Sequence, residues 1–344
     1  MKKFNKTIVV LMVGMLLCMF LSNCQEDPMG VPDIDTSLPE ITKIESSVDK
    51  MLAGASADVS VEAKQGSSYN WTADHGTFAD ATSASTTWNS EGISENTPVK
   101  LKCTVSNSSG SRFATVTVQV VVKTEPTFHW PLDNNLTDIV AGNNGSGAEV
   151  AFNTTDQKAG AACAEFSGDT TEAAIMTIAD ADETTLLMGP EDDFSLAVWM
   201  KTEEDFGVLW GRQEAPNLWD WDYSKSIAYG FGYGESELIY RGNGWRWIDG
   251  VTESVQLNDN EWHLIVVTHF GADDSYQLFI DGESIASGGL AYGEPTMADE
   301  GTNFYFGGVW GEDDWTAPFI GLMDEFKYYD SVLPEAEVAL LAEE

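Results

Sequence analysis

The chain has 344 residues, of which 56 are acidic and 17 are Lys or Arg, which gives a formal net charge of −39 at pH 7. Such a charge repels phosphate backbones and anionic membrane surfaces, so nucleic acid is not an expected partner. The length favours two domains, or three if one is small, and a hydrophobic fraction of 43% supplies enough apolar side chains for their cores. The charge fits a soluble extracellular surface, cation binding or neutral ligands.

The N-terminus has the layout of a secretory signal peptide. Three lysines precede an apolar run over residues 8–21, which is shorter than a membrane-spanning helix requires. The run ends in "LSNC", which resembles a bacterial lipobox and implies lipidation of Cys24. The "QEDP" that follows resembles the acidic tether of surface-exported lipoproteins of the Bacteroidetes type. We therefore predict a signal peptide over residues 1–23, a flexible tether over residues 24–39 and an outer-membrane lipoprotein exposed at the cell surface, in contact with the membrane only through its lipid.

Residues 40–124 contain short alternating runs separated by turn formers, which predict a small antiparallel sandwich. In "VKLKCTV" the alternation places Cys103 on the inward face, as a small buried hydrophobe and not a disulfide partner. The series from "YNWTADHGTF" to "RFATVTVQVVV" resembles the immunoglobulin-like and PKD-like domains of bacterial surface proteins. That resemblance implies a spacer domain with Trp71 and Trp88 in its core.

Residues 125–344 predict a second, larger sandwich. "SLAVWM" and "HLIVVTHF" are nearly continuous apolar runs, typical of central strands, and "SYQLFIDGE" predicts a hairpin that turns at Asp281-Gly282. Together with "FHWPLDNNL", "NFYFGGVW" and the terminal "GLMDEFKYYDSVLPEAEV", these runs resemble the laminin G-like, concanavalin A-like jelly-roll lectin family. The resemblance implies a jelly roll whose last strand leads into a short helix. The predicted fold class is thus all-β, an immunoglobulin/PKD-like sandwich followed by a concanavalin A-like jelly-roll sandwich.

Aromatic residues in the larger domain are the candidates for ligand binding. "NLWDWDY" follows a turn-rich segment, which favours a loop at the rim of the sandwich, and rings flanked by carboxylates suit sugars. The rings stack on C–H faces, while the carboxylates accept hydroxyl hydrogen bonds. Nearby arginines, including Arg241 and Arg246, would also accommodate an acidic sugar. The predicted ligand-binding residues are Trp219, Trp221, Tyr223, Trp245, Trp247, Trp315, Arg212 and Asp220.

Two alternatives to ligand binding stay open for these rings: packing within loops and a protein-contact patch. In "SIAYGFGYG", the aromatic face that begins at Ile227 and Tyr229 points most simply between the two sheets. We expect Trp199 and Trp262, which lie in strands that carry the family resemblance, in the core.

The family resemblance also implies a structural calcium ion, held by oxygen ligands from the opening segment and the last strand. Asp138, Asp324 and Glu325 are the predicted metal ligands, since hard cations take carboxylate and carbonyl oxygens. The alternative is that Asp138 caps a turn and Asp324 faces water.

Catalytic motifs known on this fold are missing from the sequence. Glycosidases need two carboxylates across a cleft, and no E-x-D-x-x-E run occurs. The strand motifs of alginate lyases are also missing, and the four histidines are scattered. We predict a non-catalytic surface lipoprotein that binds extracellular polysaccharide. An adhesion module that contacts neighbouring surface proteins, or a glycoside hydrolase or lyase on the same fold, are the alternatives.

Overall fold

A computed structural model gives the fold. It describes residues 37–344 except for 148, 169–174, 180–185, 187, 189–190, 205–206, 214–223, 230–237, 242–255, 274, 290–302, 311–314 and 317. The predictions for the signal peptide, for Cys24 and for most of the tether lie outside the described residues. None of the helices in the described part of the chain is long and apolar enough to cross a membrane.

Eight strands form the first sandwich. They are β1 (Glu40–Ser46), β2 (Lys50–Leu52), β3 (Ser56–Lys64), β4 (Ser68–Thr72), β5 (Thr77–Phe78), β6 (Ser85–Asn89), β7 (Thr97–Asn107) and β8 (Gly110–Val121). One four-stranded sheet has the order β1-β3-β6-β5 and the other has the order β2-β8-β7-β4. All their pairs are antiparallel except β2 with β8.

The core of this sandwich contains Cys103, which the alternation predicts, and Trp71 and Trp88, which the resemblance implies. Trp71, Trp88 and Cys103 are at most 2% exposed, and Cys103 is a free thiol. Each indole also has a backbone acceptor, because Trp71 Nε1 donates to the carbonyl of Ser83 and Trp88 Nε1 donates to that of His75. Both tryptophans are therefore confirmed as core residues.

In the described part of residues 125–344, fifteen strands and one helix follow. They are β9 (Phe128–Trp130), β10 (Ala151–Asn153), β11 (Cys163–Ser167), β12 (Met176–Ile178), β13 (Phe194–Lys201), β14 (Gly207–Gln213), β15 (Ser224–Tyr229), β16 (Leu238–Arg241), β17 (His263–Phe270), β18 (Ser275–Ile280), β19 (Glu283–Gly289), β20 (Asn303–Phe306), β21 (Val309–Trp310), β22 (Trp315–Thr316), β23 (Ile320–Tyr329) and α1 (Glu335–Leu341). The all-β class is confirmed, with the short terminal helix in the predicted place.

Two sheets build the second sandwich. The larger has the order β10-β11-β23-β13-β17-β18-β19, with β9 also paired to β23, and the smaller has the order β12-β20-β14-β15-β16. The apolar runs "SLAVWM" and "HLIVVTHF" form the neighbouring strands β13 and β17 inside the larger sheet, as predicted. A separate pair joins β21 to β22.

Aromatic rings fill the space between these two sheets. From the smaller sheet, Trp210 stacks on Phe304 with ring centroids 5.4 Å apart, and Phe304 lies 4.9 Å from Phe306. Phe306 then meets Phe326 of the larger sheet edge to face, at 4.1 Å and 77°. Edge-to-face and offset contacts of this kind stabilise aromatic clusters beyond their buried area. This continuous cluster holds the smaller sheet against the larger one.

A second apolar cluster lies on the other face of the larger sheet, under α1. Trp199 belongs to it and is 6% exposed, with the Lys158 ammonium 3.9 Å from its ring centroid. Trp262 is partly buried against this cluster, and its Nε1 donates to Asp156. The prediction that Trp199 is buried is confirmed, but its partners are the helix and this outer cluster, not the core between the sheets.

The predicted hairpin turn joins β18 to β19. Asp281 and Gly282 both have positive φ, +50° and +84°, and a Cβ on Gly282 would lie 2.8 Å from Cα of Ala339 in α1. Asp281 also accepts a hydrogen bond from His263 Nδ1 at 2.7 Å, while His263 Nε2 contacts Asp259 at 3.1 Å. The bond to Asp281, helped by Asp259, raises the pKa of His263 above its ordinary value of 6.5.

The two sandwiches meet where the linker reaches α1. Glu337, which is 5% exposed, accepts hydrogen bonds from both the backbone N–H and the hydroxyl of Thr124. Lys123 pairs with Glu344, which also accepts from Lys327 of β23 at 3.2 Å. Burial raises the pKa of Glu337 above its ordinary value. The linker is therefore attached to the second sandwich by paired side chains.

The bridge that His263 forms between Asp281 and Asp259 predicts that the stability of the fold depends on pH. A raised pKa in the folded state means that the stabilisation is complete below about pH 6.5 and is lost as the pH rises through the folded value. We expect His263→Gln to lower the free energy of unfolding by about 1 kcal/mol at pH 5.5 and by much less at pH 8.5. The loss is this small because both carboxylate partners are partly exposed and solvent screens the ion pairs. Urea unfolding at both pH values measures this, with the exposed His75→Gln as control. Equal losses at both pH values would contradict the bridge.

The contact between Glu337 and Thr124 predicts that the linker is protected from proteolysis. Glu337→Ala removes the acceptor for both donors of Thr124, at a cost of about 1–3 kcal/mol. We expect trypsin to cut after Lys123 several times faster in this variant. The digestion is run at a temperature where both sandwiches stay folded, and the cut is measured by mass spectrometry. Glu335→Ala is the matched control, because Glu335 lies on the same helix and bonds only Gln277 at 2.7 Å. The same cutting rate in both variants would rule the contact out.

Candidate functional site

The smaller sheet of the second sandwich has one edge at which several connections begin or end. We call it the loop edge and define it by Ile178, Gln213, Ser224, Arg241 and Asn303. Gln213 pairs with Ser224 on one side and with Asn303 on the other. Arg241 pairs with Ser226, two residues along β15, and Ile178 pairs with Phe304. The ends of all five strands therefore meet there.

Most of the predicted ligand-binding rings belong to connections at the loop edge. Residues 214–223 join the paired ends of β14 and β15, and residues 242–255 follow the end of β16. These connections lie outside the described residues, so nothing follows about the geometry of the side chains. They include the predicted residues Trp219, Asp220, Trp221, Tyr223, Trp245 and Trp247.

Trp315 starts from a different place in the sheet. It pairs with Trp310 between β22 and β21, and β21 follows the opposite end of β20 from the loop edge. At that end, the N–H of Gly307 donates to the carbonyl of Leu209. The strand register therefore separates Trp315 from the strand ends that carry the other predicted rings.

Arg212 lies one residue inside the loop edge. In the register it is the direct cross-strand partner of Lys225 and of Phe304. Sequence reasoning missed Lys225, because the pairing depends on where the intervening connection begins and ends. The alternation in "GRQ" and "SKS" is compatible with this register, but does not select it.

The face of the smaller sheet that lies away from the core contains a second feature that the sequence did not single out. Tyr305 is 9% exposed and belongs to a small cluster with Ile175 and not to the core between the sheets. Its cross-strand partner is Gly211, and the Asn303 amide lies 3.3 Å from its hydroxyl. Because the Tyr305 ring is so little exposed, other parts of the protein cover it, and it is not available for a ligand to stack on.

Of the three predicted metal ligands, Asp138 has the clearest role. It is 2% exposed, and Oδ1 accepts the backbone N–H groups of His129 and Val140, while Oδ2 accepts those of Ala141 and Asn143. Four donors at 2.9–3.1 Å occupy the lone pairs of both oxygens. The carboxylate thus caps the turn that it begins.

Asp324 is fully buried in β23. Its carboxylate accepts the N–H groups of Lys158 and Ala159 at Oδ2, at 2.9 and 3.0 Å, and that of Glu325 at Oδ1. Burial raises the pKa of this carboxyl to about 7, although the hydrogen bonds oppose the shift. Asp324 therefore anchors the loop around Lys158 and does not face water.

Glu325 has two basic partners. Its Oε2 lies 2.8 Å from His129 Nε2 and 3.4 Å from Lys327 Nζ. Burial alone would raise the pKa of Glu325, but the contacts with His129 and Lys327 hold it below its ordinary value. This carboxylate is therefore ionised and neutralised locally.

The described residues contain no group of three or more His, Cys, Asp or Glu side chains arranged to hold a metal ion. The donors around Asp138, Asp324 and Glu325 are N–H groups and cationic side chains, so their present arrangement does not fit a calcium site. Calcium binding stays a prediction that rests on the family resemblance.

Comparison with known proteins identifies the second sandwich. Residues 169–339 match the family model described as the concanavalin A-like lectin/glucanases superfamily. No curated protein matches the chain at a significant level.

Several solved structures resemble the chain, all at low identity. Domain 4 of an extracellular arabinanase from Geobacillus stearothermophilus, in complex with arabinotriose, is 20% identical over 63% of this chain and 98% of that chain, with a TM-score of 0.46. The binding domain of Paraclostridial Mosquitocidal Protein 1 is 14% identical over 62% and 51%, with a TM-score of 0.45. A Ruminococcus gnavus sialidase carbohydrate-binding module bound to α2,3-sialyllactose is 16% identical over 44% and 82%, with a TM-score of 0.36.

These structural likenesses are too distant to carry an argument about ligands. The family match and the two-sheet architecture agree with each other, and together they identify the second sandwich as a concanavalin A-like jelly-roll domain.

Proposed function

We propose that this protein binds extracellular polysaccharide at the loop edge of its jelly-roll domain, without turnover, while a lipid anchor holds it at the cell surface. One observation carries the proposal. The two connections that contain Trp219, Trp221, Tyr223, Trp245 and Trp247 are attached to the same edge of one sheet. This common attachment supports one binding surface that would use all five rings.

Sugar recognition fits the chemistry of that edge. Aromatic rings stack on the C–H faces of sugars, and a few polar groups then set orientation. Asp220 supplies an acceptor within the first connection. The superfamily described by the matching family model includes both lectins and glucanases.

The first sandwich supports a role as spacer. Asn107, at one end of the β7–β8 hairpin, donates from Nδ2 to the carbonyls of Ser37 and Gln65, so the incoming chain is held at that end. The chain leaves the sandwich at Val121, the opposite end of β8. Twelve strand residues span roughly 36 Å, so a tether that ends at Ser37 would hold the jelly roll at least that far away.

Binding without turnover is part of the proposal. The described carboxylates with shifted pKa values in the jelly roll include Asp324, Glu325 and Glu337, and each is engaged by backbone or side-chain donors in or beside the larger sheet. None of these three lies in the strands of the loop edge. A pair of carboxylates across a sugar cleft, as hydrolysis needs, has no support among them.

Substitution of the rings tests the proposal. We expect Trp219→Ala and Trp245→Ala each to weaken retardation of the full chain in polysaccharide-containing gels about tenfold, because each removes a stacking platform worth about 1–2 kcal/mol. Melting temperatures should stay unchanged. Glycan arrays with and without chelator identify the polysaccharides to be cast in the gels.

Trp315→Ala is the matched control for position, since its strand starts away from the loop edge, and we expect a smaller effect on retardation. Retardation lost in Trp315→Ala alone would move the site to the other end of the sheet. A protein that binds no polysaccharide but copurifies with a surface partner would support adhesion instead. New reducing ends or unsaturated products would show turnover.

The role of Asp138 as a cap predicts how calcium and stability are related. Asp138→Ala leaves four backbone N–H groups without their acceptor, and we expect a loss of about 2–4 kcal/mol in the free energy of unfolding. The loss should be the same with calcium chloride and with chelator, as measured by thermal unfolding. Asp74→Ala, on the exposed surface of the first sandwich, is the control. A calcium-dependent rise in melting temperature that only the parent shows would make Asp138 a calcium ligand.

A further inference from the structure

We propose that the first sandwich has a binding site of its own for polyuronates, the acidic polysaccharides whose charges are carboxylates. The site is the outer face of the sheet β2-β8-β7-β4. We call this surface the lysine face and define it by Lys50, Lys100, Lys102 and Phe113. It is separate from the loop edge of the jelly roll, and it adds a function to the domain described above as a spacer.

Burial and contacts place these four side chains on one side of the sheet. On β7, every second residue from 99 to 105 is at most 1% exposed, so Lys100 and Lys102, which alternate with them, point away from the core. The Lys102 ammonium lies 4.3 Å from the centroid of the Phe113 ring, so Phe113 of β8 lies on the same side. On β2, Met51 belongs to the core, so its neighbour Lys50 also points outward. Three ammonium groups and one ring therefore share a surface.

The lysine face is open to solvent. Phe113 is 63% exposed, a higher fraction than for any other large hydrophobic side chain in the described part of the chain. Hydroxyl groups continue the surface around it, because Thr104 is the cross-strand partner of Phe113 and Thr115 is that of Lys102. An accessible ring beside ammonium and hydroxyl groups offers both the apolar and the polar contacts that a sugar needs.

The charge of this sheet is opposite to that of the chain as a whole. Its four strands contain no Asp or Glu, although the chain has 56 such residues. In the opposite sheet of the same sandwich, Lys43 pairs with Glu45 at 2.6 Å and Lys64 pairs with Glu40 at 3.2 Å. Among the described residues, by contrast, no salt bridge involves a lysine of the lysine face. These ammonium groups are therefore available to an external carboxylate.

The arrangement matches the chemistry of a uronate unit, which presents an apolar C–H face and one carboxylate. Phe113 supplies an aromatic surface for the C–H face, and Lys102 supplies a cation 4.3 Å from that ring for the carboxylate. Lys100 lies two residues along β7, so its Cα is about 7 Å from that of Lys102, within reach of the next acidic unit of a polymer. A lysine acts as a flexible point charge, which suits a repeating ligand that binds in several registers.

The negative charge of the chain does not prevent this contact. The net charge of −39 repels polyanions at long range, but salt screens exposed charges beyond about 8 Å at physiological ionic strength. Acidic residues that flank the four strands, such as Asp49, Asp74 and Glu95, lie in bends outside them. A polyuronate with one charge per ring is also repelled less than a nucleic acid duplex, which carries a charge about every 1.7 Å.

A docked protein is the main alternative occupant of the lysine face. The cores of protein interfaces are enriched in aromatic residues and Met, and they are depleted in Lys and Ser. The lysine face has a single ring, and its other outward positions include Asn70, Thr72 and Ser106. A cluster of apolar anchors, which carries most of the binding energy between proteins, is missing from these described strands. The surface therefore favours a carbohydrate over a protein.

Titration of the full chain with polygalacturonate and with its neutral methyl ester tests the inference. The parent carries Trp219→Ala and Trp245→Ala, so that binding at the loop edge is weakened and the lysine face is measured. We expect polygalacturonate to bind with a dissociation constant that rises with salt. The methyl ester should bind at least about tenfold more weakly, because it keeps the sugar rings but lacks the charges.

Variants of the lysine face identify the site in the same parent. The double substitution Lys100→Gln and Lys102→Gln should weaken polygalacturonate binding about tenfold, and Phe113→Ala about fivefold, because they remove two exposed ion pairs and the stacking ring. Lys102→Arg keeps the charge and should still bind. Lys43→Gln is the matched control, since it removes a positive charge from the opposite sheet of the same sandwich, and it should change nothing. Melting temperatures should stay unchanged throughout.

Several outcomes would overturn the site without touching the loop edge, which is tested by its own ring variants. Equal binding of the methyl ester would exclude recognition of carboxylates. Polygalacturonate binding that the double Gln variant leaves unchanged would exclude the lysine face, and so would no binding at all. A surface protein that copurifies with the parent but not with the double Gln variant, in the absence of polysaccharide binding, would make the face a protein-docking surface instead. If Phe113→Ala does not fold, Phe113→Leu removes the ring and keeps the apolar bulk.

Discussion

The edge-to-face contact of Phe306 with Phe326 joins the two sheets of the jelly roll, and the rest of the domain depends on it. The contact continues through Phe304 to Trp210 on one sheet and reaches Trp130 on the other, whose ring centroid lies 5.5 Å from that of Phe326. Because the interior is close-packed, this aromatic cluster fixes where the smaller sheet lies on the larger one. The same packing fixes the position of the loop edge, so the strands that carry the candidate binding surface are held firmly in place.

Buried carboxylates order two loops of this domain by accepting backbone N–H groups. Asp138 and Asp324 together accept seven backbone N–H groups, which orders the turn after β9 and the loop around Lys158. A buried N–H group without an acceptor is costly, and a carboxylate satisfies several at once. The arrangement stabilises loops beside the larger sheet, away from the loop edge. Stability and proposed binding thus use different parts of the domain.

Acidic residues are also distributed unevenly between the two sheets. The acidic residues that make the chain strongly negative occur in the larger sheet, the loops and the first sandwich, whereas the strands of the smaller sheet have three cations and no acid. A uniformly acidic surface would fit a role in solubility alone. The segregation leaves the strands of the smaller sheet, to which most of the predicted rings are attached, without acidic residues.

Local patterns in the sequence were sufficient for the class of fold and for many of its elements. Alternation identified Cys103 as a core residue, and Asp281-Gly282 specified its hairpin, because period and turn chemistry act over a few residues. The family resemblance of the first sandwich implied that Trp71 and Trp88 lie in its core. Sequence also singled out the rings of residues 214–223 and 242–255. It did not reveal that Asp138 is saturated by N–H groups, that Trp199 packs under α1, or that Lys225 lies opposite Arg212. Those facts depend on register and on contacts between distant segments, which only the tertiary structure decided.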